Sequence, residues 1–420
     1  MRPGSAPGNS MKLSPHPIDG SNQPHGCTIA VRRVEGPEAR EIFFHCQPPA
    51  EVRDAGRQAD AIYRSILAAL EAEGAGFESV VSETVFLREL REHIGFVREA
   101  RQSVLAAHGG MAHRPATTEI GQPPLNEHAC LEVSLQAVIT NASRPSVQVI
   151  EADPGCDCAE CARAHGLRID VGDETRFHAA GLCGPGDNAY EQTLGMFTHA
   201  EELLRKAGME FHDVVRTWIY LREIDRDYAD LNRARRTFFE ARGIDPVPAS
   251  TGIGGGPVSE AHDLCLGVYA VKAGRSIART VMTSPTLNEA PQYGADFVRG
   301  MRVGEVNKIA LHVSGTASIG EDGRTVHRDD FEAQSDRMLV NIAALLEGQG
   351  ASFGDAVSAI TYLKRPEDAP RLRQKLQQAG FAGFPNALVV APICRSDLLC
   401  EIEVLAALPV GACKRPSRGR

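Results

Sequence analysis

Gln334-Ser-Asp-Arg-Met-Leu-Val-Asn-Ile-Ala-Ala-Leu-Leu-Glu-Gly-Gln-Gly350, followed by Ala356-Val-Ser-Ala-Ile-Thr-Tyr-Leu363, decides the fold of this chain. Apolar residues recur at helical spacing in the first segment and a glycine closes it; the second is β-rich. The pattern occurs twice more. Gln58 to Gly74 precedes Val80-Val-Ser-Glu-Thr-Val-Phe-Leu87, and Gln192 to Gly208 precedes Val214-Val-Arg-Thr-Trp-Ile-Tyr-Leu221. Its anchors stay in step: Gly208 − Gly74 and Leu221 − Leu87 are both 134, and Gly350 − Gly208 and Leu363 − Leu221 are both 142. Three copies of one unit are present.

Each unit adds a second helical stretch and two β segments opened by Pro115, Pro248 or Pro385, and a strand pair precedes its first helix. The order is β-β-α-β-α-β-β, which predicts an α+β unit with both helices on one face of one sheet. The other face must be covered, and three units in one chain can close a ring that does so. Three separate beads are the alternative. The expected divisions are a disordered lead (1–24), a first domain (25–145), a Cys-rich linker (146–165), second and third domains (166–283 and 284–410) and a basic tail (411–420).

Composition narrows the function. The 420 residues are 43% hydrophobic and 24% charged, with net charge −9, which is a globular balance. The tail carries four basic residues and no acid, so the body sums to −9 − 4 = −13. An acidic body poor in aromatics makes nucleic acid an unexpected partner. No apolar run approaches the roughly 18 residues of a membrane span. Without a signal pattern in MRPGSAPGNS, a cytoplasmic protein is expected. Of 11 cysteines, most sit singly in apolar strands as small hydrophobes, in keeping with reduced thiols.

The repeated Gln start, the Gly end, Val-Val-x-Thr-x-x-Tyr-Leu, Ser314-Gly315-Thr316-Ala317 and Cys400-Glu401-Ile402-Glu403-Val404 resemble the YjgF/Rid (reactive-intermediate deaminase, endoribonuclease L-PSP) family. The resemblance covers about residues 25–410, once per unit. It implies three tandem chorismate-mutase-like domains forming an intramolecular pseudo-trimer, with ligand clefts between neighbours. It also implies hydrolysis of enamines or imines, with a strand Glu orienting water and an Arg two residues after the strand-opening Pro binding carboxylate. The Glu position holds Glu132, Cys265 and Glu401, while the Arg position holds Thr117, Ser250 and Ala387. The family's Arg is absent from all three units.

Around Cys394-Arg395-Ser396-Asp397 the third unit is similar to the chorismatases, in which a strand Glu protonates an enol ether and arginines hold carboxylates. The catalytic residues so implied are Glu401, Arg395 and Tyr293, the last by its likeness to a ligand-closing Tyr. Ser314, Gly315 and Thr316 (through backbone N–H groups around the Gly), Glu403, Cys394 and Glu132 are implied at the substrate. A plain turn would equally put Arg395 and Asp397 in solvent. The expected function is a hydrolase or lyase of a small anionic enamine, imine or enol ether. The alternatives are a chorismatase-like hydrolase and a binding or interaction protein that has lost the ancestral site. No cofactor is expected for catalysis, and the expected assembly is a monomeric pseudo-trimer or a weak oligomer of it.

Cys156, Cys158, Cys161 and His165 lie within nine residues, a spacing that offers three or four tetrahedral ligands to a structural zinc. The alternative is reduced surface thiols. His45, His128 and His262 stand singly, and spacing supports no Cys-His dyad.

Overall fold

The computed structural model describes residues 12–17, 24–108, 113–141, 146–289 and 296–411. The first unit contains β1 (Lys12–Pro17), β2 (Thr28–Glu35), β3 (Ala39–Gln47), α1 (Ala55–Ala72), β4 (Val80–Leu87), α2 (Leu90–Ala107), β5 (Ala116–Gly121) and β6 (Leu131–Thr140). The second contains β7 (Ser146–Ile150), β8 (His165–Val171), β9 (Glu174–Leu182), α3 (Ala189–Lys206), β10 (Val214–Leu221), α4 (Ile224–Arg242), β11 (Ala249–Gly254), β12 (Gly256–Pro257) and β13 (Leu264–Ala273). The third contains β14 (Arg279–Val281), β15 (Gly300–Gly304), β16 (Ile309–Ala317), α5 (Phe331–Glu347), β17 (Ala356–Leu363), α6 (Ala369–Gln378), β18 (Asn386–Val390) and β19 (Cys400–Leu408).

The α+β class follows as expected. The sheets run β1-β2-β3-β6-β4-β5-β12, β11-β10-β13-β9-β8-β7 and β14-β15-β16-β19-β17-β18. Each contains one parallel pair, β4 with β5, β10 with β11 and β17 with β18, because a helix returns the chain between those strands. Three edge strands correct the reading of the sequence. β1 lies in the stretch expected to be a disordered lead and pairs with β2. β7 lies in the expected linker and pairs with β8, and β14 joins the third sheet from before residue 284. An edge strand needs backbone pairing on one side only and tolerates proline, so composition hides it.

The repeated residues are the ones that fix each helix. Asp54, Asn188 and Asp330 cap α1, α3 and α5, each accepting a bond from the backbone N–H three residues on. Gly74, Gly208 and Gly350 follow these helices with φ of 73°, 75° and 79°, a left-handed conformation that favours glycine.

The ring is closed by backbone bonds. β12 extends the first sheet through Gly256–Gly121 and Pro257–Ile120. A bridge joins Ala249 to Val298, and another joins Pro124 to Val389 with Val390 N–H donating to Pro123 O at 2.7 Å. The interior is charged where the units meet. Arg176 of β9 reaches Glu41 of β3 at 2.8 Å and Glu305 at 3.1 Å, and Lys308 reaches both acids at 2.6 Å. Burial alone would raise Glu41, but Arg176 and Lys308 outweigh it and hold its carboxyl well below the usual range. Removing one partner of such a set leaves a buried charge, so the network ties three units into one arrangement. Among the described residues no helix is long and apolar enough to cross a membrane.

Candidate active site

The same strand position carries Glu132, Cys265 and Glu401. In the adjoining strand they lie opposite Phe86, Tyr220 and Tyr362. Two residues earlier, the N–H groups of Cys130, Asp263 and Leu399 donate to the amide oxygens of Gln58, Gln192 and Gln334, at 2.7, 2.8 and 2.9 Å. The buried glutamine that opens each repeat therefore clamps the start of the strand bearing the candidate acid. That explains its recurrence.

Glu401 is 4% exposed and accepts no hydrogen bond from any described residue. Burial and the neighbouring Glu403 push its carboxyl up to about 8, against Arg299, Arg216 and Arg395, which favour its ionised form. It therefore holds a proton at neutral pH. Gly315 makes the room: a Cβ there would overlap a Glu401 carboxyl oxygen and crowd Thr251. The strand bulges between Val313 and Thr316, which sets Gly315 against Thr251 of the second unit.

The site joins units two and three. Glu403 accepts from Trp218 Nε1 at 2.7 Å, Arg216 Nη2 at 3.0 Å and Tyr362 Oη at 3.2 Å, so it anchors the interface. Ser250, at the family's Arg position, accepts from Thr217 Oγ1 at 2.8 Å and from Arg235 Nη1 at 3.4 Å. A guanidinium is thus supplied at this place from α4 rather than from the strand. Arg235 and Arg299 flank the Phe297 ring, at 5.4 and 5.7 Å from its centroid.

The residues expected from the sequence distribute as follows. Glu401, Glu403, Gly315, Arg395 and Cys394 come together. Arg395 donates to Gly323 O at 2.8 Å and acts electrostatically on Glu401. Burial, and then Glu401, push the Cys394 thiol up to about 12. Asp397 is not a solvated charge, since it accepts from Thr325 and pairs with Arg328. The backbone donors expected to hold ligand oxygens are already used: Ser314 N–H bonds Arg299 O and Gly315 N–H bonds Thr251 Oγ1, both at 3.0 Å. The Thr316 hydroxyl turns back to Ser314 O at 2.9 Å. Tyr293 lies outside the described residues. Glu132 sits in the first unit with both oxygens engaged, by His45 Nε2 at 3.0 Å and Gln47 Nε2 at 3.1 Å. Arg216, Arg235 and Arg299 were not anticipated; a lone Arg within the apolar run Val214-Val-Arg-Thr-Trp218 was the available signal for the first.

The junction of units one and two differs. A cavity of about 500 Å³ opens there, lined by Arg101, Thr117, Glu119, His165, Cys183 and Cys265 among others. With Cys265 in place of the acid, and burial raising its thiol to about 12, this cleft offers no proton donor at the family position. His165 is not with the cysteines: its two nitrogens lie 3.0 Å from the carbonyls of Arg163 and Arg114. Instead His262, remote in sequence, places Nε2 3.6 Å from Cys156 Sγ. The Cys-His pair that spacing could not find is a long-range one.

A family model described as Endoribonuclease L-PSP matches residues 177–264 and 287–408. A 3-hydroxybenzoate synthase of Streptomyces hygroscopicus is 29% identical over 310 residues, which are 67% of this chain and 86% of that protein. A chorismatase of the same organism is 29% identical over 240 residues, 52% of this chain and 67% of its own. A RutC family protein of Saccharolobus solfataricus is 31% identical over 120 residues, 28% of this chain and 91% of its own. A chorismatase crystal structure superposes with a TM-score of 0.58 at 20% identity, covering 79% of this chain and 93% of that one, which shows the common fold. These relatives support an enzymatic, small-molecule activity of hydrolase or lyase type.

Proposed function

The chain belongs to the endoribonuclease L-PSP family, and on that premise we propose that the junction of units two and three cleaves a small anionic enol ether of the chorismate kind. The observation that carries this reading is the buried, proton-bearing Glu401, which has no hydrogen-bond partner among the described residues and stands beside three arginines. An enol ether needs a proton donor at its terminal CH₂ carbon, and a carboxyl that still holds its proton near the working pH is suited to give one. Glu401 donates the proton, the CH₂ becomes CH₃, and positive charge develops on the ether carbon. Water adds there and loses a proton to the Glu401 carboxylate. The resulting hemiketal breaks its C–O bond with proton transfer to the departing oxygen, releasing an alcohol and a 2-oxo acid.

Arg299, Arg395 and Arg235 are the groups we assign to substrate carboxylates, while Arg216 is held by Glu403 and Thr251. The names of the two Streptomyces relatives support chorismate as the first substrate to try. Imine hydrolysis is the second reading: the family's strand Arg is missing from all three units, and at this junction Arg235 stands near its place.

The experiment is incubation of the purified chain with chorismate, following 2-oxo acid release and aromatic products. Glu401→Gln should lower kcat by about 10²–10⁴-fold while chorismate still binds. Wild-type protein that binds chorismate and leaves it unchanged would favour the binding-protein reading. Full activity in Glu401→Gln would remove the acid assigned here.

A further inference from the structure

Cys156, Cys158 and Cys161 lie on the connection between β7 and β8 of the second unit, and His262 lies on the loop entering β13. The donor atoms of Cys156, Cys161 and His262 all fall within 4.8 Å of one another. With Zn–S near 2.3 Å and Zn–N near 2.0 Å, the S···N edge of a tetrahedral site is about 3.5 Å. The Cys156 Sγ to His262 Nε2 distance is 3.6 Å. Cys158 stands beside this trio, its Sγ 3.1 Å from the Ser259 hydroxyl of the same loop as His262.

From this geometry we propose that Cys156, Cys158, Cys161 and His262 bind one zinc ion in a closed, four-coordinate site. Three thiols and an imidazole are a soft donor set of the kind that selects zinc over magnesium or calcium. Cys183 also lies close to Cys161, but it lines the cavity between units one and two and turns its thiol to Gly181 O. His165 is excluded by the two carbonyls that occupy its ring nitrogens. The ion would fasten the β7–β8 connection to the loop before β13, the strand that carries Cys265. It would therefore brace the wall of that cleft from behind, with no open position for substrate.

Protein purified without chelator, analysed for metal and then titrated with Co²⁺ after zinc removal, tests the site. Stoichiometric zinc is expected, and cobalt should give the sulfur-to-metal charge transfer and intense visible bands of a tetrahedral thiolate site. Cys161→Ser and His262→Gln should each bind zinc about 100-fold or more weakly, and His165→Gln should keep it. Wild-type protein that takes up neither metal overturns the proposal, and this outcome does not depend on whether any variant folds. So does zinc retained in His262→Gln but lost in His165→Gln, or a Cys156–Cys161 disulfide that on reduction yields no metal-binding protein.

Discussion

Glu401 and Glu132 hold one position in two copies of the same unit, yet their surroundings are opposite. Both follow a Gln-clamped backbone by two residues and face an aromatic residue in the adjoining strand. The difference lies at the seventh residue of the nine-residue strand alongside. In β3 it is His45, which bonds Glu132; in β16 it is Gly315, which leaves the Glu401 carboxyl space and no donor. The fold therefore delivers a carboxyl to each place, and the neighbour decides whether it is a bonded acceptor or a buried carboxyl that keeps its proton.

The largest effect expected from this contrast is on turnover. Glu401→Gln should cost about 10²–10⁴-fold in kcat, and its fold should lose nothing, since no described residue donates a hydrogen bond to the carboxyl. Next comes Gly315→Ala. The added methyl must displace the Glu401 carboxyl, and a misplacement near 1 Å can cost about 100-fold in rate. Ordinary activity in Gly315→Ala, with chorismate or any substrate then established, would show that the glycine does not set the acid's position.

In the first unit the same experiment should read out as stability. Glu132→Ala leaves the buried His45 Nε2 and the half-buried Gln47 Nε2 unpaired, at a cost of about 1–3 kcal/mol, seen as a lower denaturant midpoint. An unchanged midpoint would show that these bonds contribute nothing net and that the two acids differ less than their partners suggest.

The repeat, the α+β class and the strand position of Glu401 were legible because helix caps, terminal glycines and the clamping glutamine are local requirements. What escaped was everything brought together over long separations. The Arg216–Glu403 bond spans 187 residues, so Arg216 reads in sequence as one charge in a strand. Arg235 takes the place of the missing strand Arg from a helix, which no motif aligned on the strand can reveal. Likewise spacing groups His165 with the cysteines, whereas the imidazole that the fold sets beside Cys156 is that of His262, 106 residues away. The edge strands β1, β7 and β14 escaped for a different reason: their pairing is carried by backbone, which leaves little mark on side-chain pattern.

The smallest effect per step, and the one that isolates the protonation state itself, is in the pH dependence of folding. Glu401 keeps its proton in the folded chain up to about 8, whereas an ordinary glutamate ionises near 4.5. Between those values the folded chain holds one more proton than the unfolded chain, so its stability falls as pH rises. The contribution is fully present below about 4.5, declines by up to about 1.4 kcal/mol per pH unit, and is gone above about 8. Glu174, raised to about 7 by burial, adds a slope of its own, but it does so in wild type and variant alike. Subtracting the Glu401→Gln curve from the wild-type curve cancels that background. Denaturant midpoints measured from pH 5 to 7.5 should give a difference that declines steadily with pH. A difference independent of pH would mean that Glu401 is already ionised in the folded chain, and the acid would then have to be sought elsewhere in the junction.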